Sequence, residues 1–90
     1  PDNIIDLLLL FQQKMIDQLE IQEKIYENEN YINNIYLIIK EQIEILSFHE
    51  KWDYVLRNNT FLHENKGNGK NNKIKFKIMD INDLISKHDK

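Results

Sequence analysis

Glu41 and Glu44 stand three residues apart, so on a helix their carboxylates share a face and, joined by a third acid, could hold a magnesium ion. The same spacing is common on any solvated helix face. Lys73, Lys75 and Lys77, with Lys66 and Lys70 ahead of them, form a cationic set able to meet a phosphate backbone. Phe76 is the only aromatic among them, whereas stacking on bases needs interleaved rings. We read these lysines as the protection of a sheet edge. Tyr26, Tyr31, Tyr36, Phe48, Trp52 and Tyr54 could anchor a partner or fill a core. His49, His63 and His88 read as surface histidines. The absence of Cys excludes a disulfide scaffold and a thiolate zinc site, and it agrees with an intracellular, cytoplasmic location.

These groups need a scaffold, and 90 residues supply one small domain whose core is marginal. Such a core often leans on a second copy or another protein. The formal charge of −3 conceals a division. Residues 1–50 carry ten acids against Lys14, Lys24 and Lys40, while Lys and Arg dominate the rest. The longest apolar run, Ile4 to Phe11 with Asp6 inside it, is far short of the ~20 residues of a membrane span, and it has no basic flank. No membrane partner is predicted.

Apolar residues Ile4, Leu8, Phe11, Met15 and Leu19 recur at helical spacing and predict a helix from Ile4 to Tyr26. Glu27 to Asn30 reads as a helix–helix turn, with Asn30 as the cap of the next helix. There Ile32, Ile35, Ile39, Ile43 and Leu46 form a seam close to a heptad, and apolar residues off that seam widen it. One neighbouring helix does not cover so wide a surface. This second helix is predicted to continue through Trp52 and end near Arg57. Residues 58–72 read as a polar loop. Lys73 to Met79 alternates cation and apolar residue with a period of two and predicts a strand, paired with Thr60–His63 across the loop. Ile74, Ile78, Ile81 and Ile85 equally fit one helix.

LLFQQKMID at Leu9–Asp17, Glu41-x-x-Glu44, Ser47 to Trp52 and Ile78 to Ile81 resemble, in that order, motifs of the all-α nucleoside triphosphate pyrophosphohydrolases, the dimeric dUTPase and MazG-like group. The resemblance implies a base contact from Gln12 or Gln13 and a magnesium ion on Glu41, Glu44 and Asp80. It is incomplete: Lys77 stands where a family acid belongs, and aligning Ser47 and Trp52 brings Lys40 and Ile43 to the acidic positions. A second stretch, Arg57 to His63, is similar to the Arg-x(4–6)-His signature of HEPN ribonucleases, which implies RNA cleavage across a dimer with His63 as acid or base. The acidic total does not favour a polyanion, so nucleic acid is not the predicted partner.

The sequence therefore predicts a mainly α domain: an antiparallel pair of long helices over residues 1–57, a polar loop over 58–72, and a short C-terminal β-hairpin or third short helix over 73–90. Its predicted role is a non-catalytic interaction or oligomerisation module, without a cofactor. The partner is a protein or a second copy, met through Ile32, Ile35, Ile39, Ile43, Leu46, Phe48 and Trp52.

Overall fold

The computed structural model describes residues 2–69 and 71–89, which form four helices joined by short connections. They are α1 (Asp2–Asp17), α2 (Ile25–Leu46), α3 (Trp52–Glu64) and α4 (Asn72–His88), with one-turn 3-10 segments at Gln22–Lys24 and Lys66–Gly69. The mainly α expectation holds. Among the described residues no helix is long and apolar enough to cross a membrane.

The predicted C-terminal β-hairpin is absent from the described residues, and residues 73–79 lie within α4. Two causes favour the helix. Ile74, Ile78, Ile81 and Ile85 are all buried along one face, which a period of two would split between core and solvent. The Asn71 side chain caps the helix, accepting from the backbone N–H groups of Lys73 (2.8 Å) and Ile74 (3.2 Å). Thr60–His63, the intended partner strand, is itself helical within α3, so Lys73 to Met79 has nothing to pair with.

The predicted turn at Glu27–Asn30 is also displaced. The chain turns at Gln18–Lys24, and Asn28 is buried inside α2. Its Nδ2 donates to the Gln18 carbonyl (3.0 Å), and its Oδ1 accepts from the Gln18 side chain (2.9 Å). Asn28 thus satisfies a carbonyl at the end of α1 instead of forming a turn, and Asn30, the expected cap, lies inside α2. The second helix stops at Leu46 rather than near Arg57, and α3 begins at Trp52. In the break, the Lys51 backbone N–H donates to His49 Nδ1 (3.0 Å). The Asn58-Asn59 pair does not end α3, because both side chains bond to other helices: Asn58 donates to Gln12 (3.1 Å) and Asn59 to Asn82 (3.3 Å).

Each helix packs on two others, α1 on α2 and α3, and α4 on α2 and α3, around one core. The cross-links fix the directions. Along α1, Asp2, Asp6 and Gln12 meet His49, Lys51 and Asn58 in turn. Along α2, Glu29, Tyr36 and Ser47 meet Asn71, Lys77 and His88. Hence α3 runs with α1, and α4 runs with α2.

The pattern of burial recurs along the chain. Buried Ile5, Leu8, Gln12 and Met15 of α1 recur 47 residues on as buried Trp52, Val55, Asn59 and Leu62 of α3. Buried Asn28, Ile32, Ile35 and Ile39 of α2 recur 46 residues on as Ile74, Ile78, Ile81 and Ile85 of α4. The molecule is two stacked helix–turn–helix units, each hiding in the other the face it could not hide alone.

Candidate interaction surface

The seam between the units consumes most of the residues that the sequence offers to a partner. Ile32, Ile35, Ile39, Leu46 and Trp52 are buried in the chain's own core, and Ile43 packs partly buried against it. Of the seven, only Phe48 stands free, 90% exposed on the turn between α2 and α3. The second unit is the cover that α2 needs on its core side.

The seam is also charge-complementary. Lys51 Nζ donates to Asp6 Oδ1 at 2.8 Å, and this contact holds the Lys51 ammonium above its usual pKa range. A His49 ring nitrogen lies 2.6 Å from Asp2 Oδ1, and that hydrogen bond, followed by the charge of His49, lowers the Asp2 carboxyl below its usual range. Lys77 sits over the Tyr36 ring at 4.3 Å. The acidic first unit thus receives cations of the second.

Gln12 is fully buried, with Nε2 donating to the Val55 carbonyl (3.2 Å) and Oε1 accepting from Asn58. One donor and one acceptor position of its amide are thus used within the chain, whereas Gln13 is exposed and bonds Asp17 (2.8 Å). Glu41 lines a groove beside α1, while Asp80 lines a cavity of about 380 Å³ between α2 and α4 with Glu29, Lys73 and Lys77. Among the described residues no three carboxylate, His or Cys side chains come together as a metal site would require. Glu41, Glu44 and Asp80 are therefore not brought to one point.

Arg57 and His63 both lie on α3, six residues and so roughly 240° apart around the axis. Arg57 lies over the Tyr54 ring at 5.7 Å, and buried His63 Nδ1 has no hydrogen-bond partner. Lys66 Nζ donates to the His63 carbonyl (3.1 Å). Lys73 and Lys77 share one face of α4 and Lys75 lies on the other side, so the three make no single cationic face; Lys70 lies outside the described residues.

What remains open is a face that the seam reading does not isolate. Ile4 and Leu7 of α1 and Leu37, Ile38, Glu41 and Gln42 of α2 line a shallow groove of about 270 Å³ on the side away from the second unit. Leu7 is 43% and Leu37 51% exposed. Leu10 extends the patch along α1 and Ile45 along α2, both also exposed. Glu41 is the one charge in the groove lining. Single exposed apolar residues are ordinary, but contiguous ones on two adjoining helices mark a site of contact. The sequence signal for it was the apolar residues off the seam, Leu7, Leu10, Leu37, Ile38 and Ile45. No protein-family model, no curated protein and no solved structure matches the chain.

Proposed function

We propose that this chain is a non-catalytic helical interaction module that docks a protein through the outer face of an antiparallel α1–α2 pair. The observation that carries this reading is the open apolar groove between Ile4, Leu7, Leu37 and Ile38, flanked by exposed Leu10 and Ile45. Leaving such a surface in water forgoes roughly 25 cal/mol per Å² of burial, and a partner that covers it recovers that free energy. The core residues act behind the face: Ile32, Ile35 and Ile39 hold α2 rigidly in place, so binding orders little that is not already ordered.

A photo-reactive phenylalanine at position 37, compared with one at Met79 on α4, tests the reading. Cross-links to protein are expected from position 37 and not from position 79. Absence of any cross-linked product at position 37, either in the pure protein or in cell extract, overturns it.

A further inference from the structure

The two stacked units make the open groove a position of known kind. The second unit seats on the first through Lys51, Asn58 and His88, and the equivalent positions of the first unit are Ile4, Phe11 and Gln42. Ile4 and Gln42 line the groove. On the first unit the side that would seat on a neighbour is therefore largely apolar, with Phe11 packed on the Tyr31 ring and Ile4 and Gln42 open to the groove. The opposite end of the molecule is different in character. Asp6 and Asp17, on the side of α1 that receives the second unit, have Asp53 and Glu64 as their equivalents on α3, and both are exposed. Acids thus stand where a head-to-tail neighbour would seat, while Tyr54, Phe61, Phe76 and Met79 are exposed elsewhere on that unit. A copy of the chain does not stack head to tail on the groove through that end, because acids would face leucines.

The groove side is self-complementary in charge. On α1, Leu7, Leu10 and Lys14 follow one another at spacings of three and four, and on α2 Ile38, Glu41 and Ile45 do the same. Glu41 lines the groove near the level of Ile4, with Leu7 one turn further along α1. Lys14 is seven residues further along α1, about 10 Å at the helical rise. Among the described residues neither Lys14 nor Glu41 has an ion-pair partner. One cation and one anion at opposite ends of an apolar strip is the pattern a two-fold contact requires, since each residue that meets its opposite number is met in return.

We infer that the groove's partner is a second copy of this chain, paired face to face through the α1–α2 side about a two-fold axis that crosses the helices near Leu10, so that Lys14 of each copy meets Glu41 of the other. The inference rests on the docking role proposed above and names its partner. The leucines and isoleucines of the two grooves close on one another at the centre, and the ion pairs lie at the rim, where they set orientation more than affinity. A two-fold contact uses the groove of both chains, so assembly through it stops at two.

Light scattering across micromolar concentrations, combined with charge exchange, tests this. The wild type is expected to approach twice the 10.9 kDa of one chain. Leu37→Glu is expected to remain a single folded chain by circular dichroism, and Met79→Glu, on the other unit, to dimerise as the wild type does. Lys14→Glu and Glu41→Lys each turn two attractions into two repulsions. Since an exposed pair changes an equilibrium only a few-fold, each homodimer is expected to weaken about tenfold. Mixing the two variants restores both pairs, and the mixed dimer is expected within about threefold of the wild type. Three results overturn the inference: one chain at every concentration, a dimer indifferent to both exchanges, or assemblies that grow beyond two. A single-chain result accompanied by position-37 cross-links to another protein removes the second copy while leaving the docking role. Loss of both removes both.

Discussion

Replacing Ile78 and Phe76 separately by alanine decides between the two periods that residues 73–85 can satisfy. In a strand both side chains occupy one face, and truncating either costs about the same. In α4, Ile78 is 1% exposed and packed in the core, while Phe76 is 57% exposed. Truncating a buried isoleucine removes its transfer free energy and leaves a cavity, about 2–5 kcal/mol together. Full burial of a phenylalanine is worth roughly 1.5–3 kcal/mol, and Phe76 realises less than half of that, so Phe76→Ala costs about 1 kcal/mol at most. Urea denaturation followed by circular dichroism, with slopes of about 1–3 kcal/mol per molar, would move the midpoint by one molar or more for Ile78→Ala and by a few tenths for Phe76→Ala. Equal shifts for the two variants would refute the helical account of α4, and with it the repeat relating α4 to α2.

Three further outcomes follow from the contacts. Asn71→Ala removes the cap of α4 and is expected to lower stability by about 0.5–2 kcal/mol in the same assay, with Asn71→Ser close to neutral. Gln12→Glu sets a carboxylate against the Val55 carbonyl inside the core and is expected to cost about 3 kcal/mol or more at neutral pH. Burial raises the pKa of such an acid, so the loss should shrink as pH falls and the carboxyl takes up a proton, a trend that thermal melts at pH 5 and pH 8 would expose. Finally, Asp2 has a lowered pKa in the fold, so its contribution is present above its ordinary value of 3.8 and lost as pH falls below it, whereas Lys51, raised above 10.5, contributes below that value and loses its contribution as pH rises past it. Asp2→Asn should flatten the acid limb of the stability profile, and Lys51→Met the alkaline limb.

The apolar periodicity carried much of the architecture. Ile32, Ile35, Ile39 and Leu46 were legible as one stripe and are buried as one stripe, and the helical alternative for Ile74, Ile78, Ile81 and Ile85 describes α4 fully. The errors came from polar residues whose partners are remote in sequence. Gln12, Asn28 and Asn59 are buried because amides elsewhere satisfy them, and no local rule distinguishes a buried amide from a solvated or turn-forming one. Position offers a faint signal: Asn28 precedes Ile32, Ile35 and Ile39 on the same stripe. The repeat was hidden because the units share burial more than identity. Asp6 and Asp53, Leu9 and Leu56, and the isoleucine triads of α2 and α4 coincide, while Ile5 becomes Trp52 and Asn28 becomes Ile74. Of the proposed surface, the excess of apolar residues was readable, but which of them the second unit would cover depends on the stacking and was not.

The stacking also sets an order of events in folding. Gln18 and Asn28, which tie α1 to α2, are ten residues apart, whereas the bonds across the seam join residues 41 to 47 apart. Closing the longer loop costs about 1.3 kcal/mol more in chain entropy. Each unit can therefore close ahead of the seam, since Asn59 and Asn82 of the second are only 23 apart, and Lys51 and His49 settle on the acidic first unit as the halves condense. A ribosome presents the pieces in the same sequence, and the later half meets a ledge already built.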